Sequence, residues 1–179
     1  MNKFISSAIV LFCSQLFFSQ VIIGGTAGSS ANKTSVLLEF EGQNKGIILP
    51  YTRELPSSPA EGTLLLDSSS PTAARVKYYN GSWIDLSGQD ADVTSALAVQ
   101  PTSSQVTEDD NAKTIIGAAS SQADGVLVLE SQTKAMLLPS VESTDDIASP
   151  SPGMIVYINK AGAKRLAVFN GSKWSYWMP

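Results

Sequence analysis

The sequence predicts an all-β protein made of two tandem homologous small β-meander units joined by an acidic linker. Three observations carry this expectation. The apolar runs are short and rich in Val, Ile and Leu, which suits strands rather than helices. Five motifs recur in the same order at a nearly constant offset, 89 residues from Pro50 to Pro139 and 90 from Asn80 to Asn170. Asn-Gly also follows an aromatic or apolar run in both copies, as hairpin turns require.

Residues 1–20 read as a secretory signal peptide. Met1-Asn2-Lys3 is a short positive start, residues 4–18 carry no charge, and cleavage is expected near Ser19 or Gln20. The apolar run, about fifteen residues, falls short of the roughly twenty that a spanning helix needs, so no membrane span is expected after its removal. The expected destination is the periplasm, the cell surface or the extracellular space. Cys13, the one cysteine, lies in this segment, and histidine is absent throughout. The exported chain would therefore lack disulfides, cysteine and histidine metal ligands, and Ser-His or Cys-His nucleophiles. No catalytic residue, metal or cofactor is expected. Small β units without disulfides need a neighbour to bury their apolar faces, which makes protein the expected partner, through self-association or a surface or fibre assembly.

The first unit, residues 21–88, opens on Ile22-Ile23-Gly24 and continues with the strand-like run 35–41. Lys45-Gly46-Ile47-Ile48-Leu49 stops at Pro50, which lacks the N–H that a central strand must donate, so Pro50 marks a strand end. A polar loop, residues 51–61, leads to a strand from Gly62 to Asp67. Arg75 to Tyr79 returns, and Asn80-Gly81 is expected to form a two-residue type I′ turn with Tyr78 opposite Trp83.

Residues 89–113 differ in character. Asp90, Asp92, Glu108, Asp109 and Asp110 are opposed only by Lys113, so this segment alone carries −4, the net charge of the whole chain. It reads as a solvated linker with one possible short helix from Val93 to Val99, capped by Asp92. An acidic balance without a basic block argues against nucleic acid as a partner. The second unit, residues 114–179, repeats the first through Ile115-Ile116-Gly117, the apolar run 125–130, residues 134–138 ending at Pro139, Gly153 opening a strand, and Asn170-Gly171 before Trp174. One extra residue, Lys173, suggests a bulged turn with Val168 opposite Trp174.

The Lys-Gly-Ile-Ile-Leu-Pro stretch, Pro59-Ala60-Glu61-Gly62 before Thr63-Leu64-Leu65, and Tyr78-Tyr79-Asn80-Gly81-Ser82-Trp83 together resemble a repeat unit of exported Bacteroidota proteins, often tail-fibre-like. The second copy matches at residues 134–139, 150–156 and 169–174, departing at Ala135 and Met136. The resemblance implies export and a β-structural role without a reaction.

Candidate residues follow from these patterns. Trp83 and Trp174 recur at equivalent places and are expected to pack in a core or interface, alongside the turn and strand-end positions Pro50, Asn80, Gly81, Pro139, Asn170 and Gly171. Tyr176 and Trp177 have no counterpart in the first copy, and adjacent strand residues point to opposite faces, so this pair is the candidate glycan- or surface-binding element. Glu39 and Glu41 share a face as carboxylate pairs for acid–base work do, but a solvent-facing strand edge is the expected reading, since Glu41 shows no repeat counterpart. The clusters around Asp90 and Asp109 lack the glycine and spacing of a calcium loop. A non-enzymatic structural or assembly protein of the cell surface or a fibre is thus the expected function, with an adhesive module as the alternative.

Overall fold

The computed structural model describes residues 20–177 apart from Asn32, Gln43, Glu108, Asp110 and Asn111, so residues 1–19, with most of the expected signal peptide and Cys13, lie outside the described residues. The expectation of an all-β chain holds. Among the described residues the first unit forms β1 (Val21–Ile23), β2 (Val36–Phe40), β3 (Ile47–Ile48), β4 (Tyr51–Thr52), β5 (Leu64–Asp67), β6 (Arg75–Tyr79) and β7 (Trp83–Asp85). A short helix, α1 (Thr94–Ala98), follows. The second unit forms β8 (Thr114–Ile116), β9 (Leu127–Leu129), β10 (Ala135–Leu137), β11 (Ser140–Val141), a 3₁₀ turn (Thr144–Asp146), β12 (Met154–Ile158), β13 (Arg165–Phe169) and β14 (Trp174–Trp177).

The strands correspond one for one across the repeat, and so do their bonds except at β3 and β10. β1 pairs with β2 in parallel as β8 does with β9. β4 pairs in parallel with β5, as β11 does with β12. Antiparallel hairpins then carry β5 to β6 to β7, and β12 to β13 to β14. The expected meander is therefore the last three strands of each unit. The β1–β2 and β4–β5 pairs and their counterparts are parallel, which obliges the long intervening loops that the sequence shows.

β4 and β11 begin directly after Pro50 and Pro139. Proline donates nothing, but its carbonyl accepts: Leu66 N–H donates to Pro50 O and Tyr157 N–H to Pro139 O, both at 2.9 Å. Each proline thus ends one strand and starts a two-residue strand on a different partner.

The hairpin tips differ from expectation by one residue. Tyr79, not Tyr78, faces Trp83, and Phe169, not Val168, faces Trp174. Asn80 keeps an ordinary backbone while Gly81 takes φ +71°, so the first turn is a three-residue loop and not type I′. Both copies still set an aromatic ring against the tryptophan, with ring centroids 5.2 Å apart in each.

The main core draws on both units. Leu49, Leu66, Val76 and Leu86 of the first pack with Ile155 and Val168 of the second and with Ala91, Val93 and Leu97 around α1. A smaller cluster, Val141, Ile147, Met154, Val156, Ile158 and Ala167, belongs to the second unit, with Phe169 and Trp174 against it. The solvated linker is thereby shortened. Residues 91–97 are anchored in the core, and solvent faces the chain over residues 101–107. Asp92 accepts from Thr94 N–H at 2.9 Å, one residue ahead of the helix cap at Val93.

Candidate assembly interface

The two units are joined through strand edges. β10 lies parallel along β2, with Met136 opposite Leu38 and Leu137 opposite Glu39, and a register shift after Ala135. Ala135 N–H donates to Ser35 O at 2.8 Å. In the other direction β3 pairs antiparallel with β12, placing Ile48 opposite Met154 and Ile47 opposite Ile155. Leu49 N–H extends that ladder to Gly153 O at 3.0 Å. The approach of β3 depends on Gly46, because a Cβ there would come within 2.7 Å of Val156 Cγ1 and 3.0 Å of Ile155 O. The second copy carries Ala135 at this place, and β10 there has β2 as its one strand partner among the described residues.

Side chains reinforce the seam. Asn170 is fully buried, accepts from Ser172 and Lys173 N–H at 3.0 Å each, and donates to Gln89 O at 2.7 Å. Asn80, its counterpart, is exposed. Gly171 sits against Val93 and Pro152, whereas a Cβ at Gly81 would meet nothing. The hairpin tip of the second unit is therefore docked and that of the first is free. Trp177 Nε1 donates to Leu86 O at 3.1 Å, and the Ser175 hydroxyl donates to Ser87 O.

Tyr176 and Trp177 are 43% and 45% exposed, so each keeps one open surface. Their polar atoms serve the fold: Tyr176 Oη is hydrogen-bonded to Thr144 Oγ1 at 2.9 Å and Arg165 lies over its ring. Trp83 and Trp174 are half-buried beside Tyr79 and Phe169.

Glu39 overturns the reading of a solvent-facing edge. It is fully buried beneath the loop of residues 28–30 and accepts from Ser29 N–H at 2.5 Å, Ser30 N–H at 2.8 Å, Gln20 at 2.7 Å and Lys33 Nζ at 3.0 Å. Burial pushes its carboxyl up, but the bonds from Ser30, Lys33 and Ser29 together hold it at about 2. Every lone pair is occupied by structure, so this carboxylate is a tether for the loop and not an acid–base group. The repeat register also gives Glu41 the counterpart that the sequence did not show. Glu41 N–H donates to Ile23 O and Glu130 N–H to Ile116 O, at 2.8 and 2.9 Å. The same register aligns the buried Glu39 with Val128.

The acidic residues near the linker have local duties as well. Arg75 binds Asp85 at 2.6 Å and Asp90 at 2.7 Å, and hydrogen bonds from Ser87 and Arg75 hold the Asp85 carboxyl below the usual range against its burial. Glu108 and Asp110 lie outside the described residues. Among the described residues no group of three or more His, Cys, Asp or Glu side chains is arranged to hold a metal, and no helix is long and apolar enough to cross a membrane.

Sequence reasoning assigned no interface role to Gly46, Leu64, Met136 or Leu127, which define the seam and its open edges. Leu64, Tyr78, Met136, Leu138, Leu166 and Trp177 line an apolar groove of about 470 Å³ between β5 and β10. The signal was present in residues 126–129, where four apolar residues in succession leave no polar face for a strand to turn to water.

These features define a class: a β-structural repeat that buries its strands against another unit. Residues 115–178, from β8 to β14, match the model of a family described as the phage tail like trimerisation region. That family is a structural region and not an enzyme family. No curated protein and no solved structure matches the chain.

Proposed function

We propose that this protein is an exported, non-enzymatic structural component that self-associates, as a trimer, within a fibre-like or cell-surface assembly. The observation that carries the reading is the match of the second unit to a trimerisation region, in a chain that writes that unit twice. The exposed apolar surface at β9 supports it, since Val126, just before the strand, and Leu127 within it are 74% and 46% exposed in an apolar run. Export rests on the charge and apolar pattern of residues 1–20. Tyr176 and Trp177, each nearly half exposed, favour an adhesive role as the second reading.

Mass photometry of the protein tests the first reading: a species of three copies is expected, and a monomer at every concentration overturns it. Intact mass of material recovered outside the cytoplasm reads the cleavage near Ser19 or Gln20. A glycan array with Trp177→Ala decides the adhesive role, which falls if no glycan signal depends on that ring.

A further inference from the structure

The contact between the two units uses different surfaces on each side. The first unit presents β2 and β3, whereas the second presents β10 and β12, the counterparts of β3 and β5. Matching bonds fix these equivalences: Gly62 and Gly153 N–H donate to Tyr79 and Phe169 O at 2.9 and 2.8 Å. Leu127 is thus the counterpart of Leu38, and Leu64 that of Ile155. A contact between unlike surfaces cannot be completed by two units; it closes only when a ring forms, or else it propagates.

The incomplete halves are visible. β2 is covered by β10, and Val36, Leu37 and Leu38 are at most 7% exposed. Its counterpart β9 has β8 as its one strand partner among the described residues, and Leu127 is 46% exposed. Leu49 O lies within contact of Gly153, but a Cβ at Gly62 would touch nothing. Leu64 of β5 shares an apolar groove with Met136 and Leu138 at β10, the strand that follows β9 in the chain.

Resting on the self-association reading above, we infer that this vacancy is the third place of a three-unit ring and that a unit of another copy of this chain fills it. The incoming unit lays its β3-type strand, Gly46-Ile47-Ile48 or Ala135-Met136-Leu137, in parallel along β9. Ile47 or Met136 of that copy then stands opposite Leu127, in the register that Met136 holds to Leu38 within the chain. The free edge of the same strand meets Thr63 and Leu64, as β3 meets Met154 and Ile155. Main-chain hydrogen bonds supply the affinity, and the apolar groove supplies the selectivity. The donated unit leaves its own intrachain partner, an exchange of the domain-swapping kind that opens at the exposed stretch 101–107 between the units.

Two cysteine pairs test the assignment in the full chain carrying Cys13→Ser. Leu127→Cys is combined with Ile47→Cys or with Met136→Cys, and each protein is treated with a short bismaleimide. Within one chain neither pair is in register, since Ile47 pairs with Ile155 and Met136 with Leu38. A covalent oligomer from either pair is expected, while Leu38→Cys with Met136→Cys serves as the control for reagent reach. Leu127→Lys, on an exposed side chain, is expected to leave the circular dichroism spectrum unchanged and to abolish the oligomer. An oligomer that forms no crosslink through residue 127 and survives Leu127→Lys overturns this inference and leaves self-association standing. A monomeric parent protein overturns both.

Discussion

Asn170 Nδ2 donates to Gln89 O at 2.7 Å, tying the hairpin of the second unit to the chain as it leaves the first. The same side chain closes its own turn by accepting from Ser172 and Lys173. Asn80, its repeat counterpart, closes its turn through the backbone, its N–H donating to Ser82 O at 3.0 Å, so the side-chain bonds and the tie across the seam belong to Asn170.

This asymmetry predicts unequal costs for one substitution. Asn170→Ala strips a buried carbonyl and two N–H groups of their partner and should cost about 2–3 kcal/mol. Asn80→Ala, at an exposed tip, should stay within about 0.5 kcal/mol. Urea unfolding of the two variants beside the parent checks the difference.

Glu39 predicts a pH dependence. Its folded pKa of about 2 lies below the ordinary value of 4.5, so the stability it contributes is present above 4.5 and is lost as pH falls from there towards 2. Glu39→Gln should flatten stability across that window, because an amide has no proton to gain. It should also cost about 2 kcal/mol at neutral pH, since one acceptor among the loop's N–H groups becomes a donor. Denaturation midpoints measured from pH 2 to 6 read both effects.

Gly46 predicts a steric penalty without a backbone one. A Cβ there meets Val156 and Ile155 O, so Gly46→Ala should destabilise by about 1–3 kcal/mol. Ala135→Gly, at the counterpart position, relieves no contact and should cost no more than about 1 kcal/mol. Thermal melts distinguish the two.

Trp177 Nε1 holds the carbonyl of Leu86 at 3.1 Å. Trp177→Phe keeps an aromatic ring but leaves that acceptor without its donor, and a loss of about 1 kcal/mol is expected. Equilibrium unfolding followed by circular dichroism measures it.

The strand-forming runs were legible because side-chain pattern is a local property. Arg75 to Tyr79 folds as read, and runs ending at Pro50 and Pro139 end there. What escaped was long-range. β4 and β11 are two residues each and exist because Pro50 and Pro139 offer carbonyls to strands fifteen or more residues away. The burial of Glu39 was equally hidden, since its compensating donors come from Gln20 and the loop 29–33, and no strand pattern announces them.

By itself the sequence determined the all-β class, the duplication, the strand ends and the places of the turns. Each of these follows from a residue's own chemistry: short Val-, Ile- and Leu-rich runs, a proline without its N–H, a glycine free to take positive φ. Tertiary structure alone decided which edge meets which, including β10 on β2, β3 on β12, and the bare edge of β9. The reason is that every strand edge offers the same N–H and C=O groups whatever its side chains are. Partner choice passes to packing in three dimensions, where Gly46 admits a strand and Leu127 awaits one.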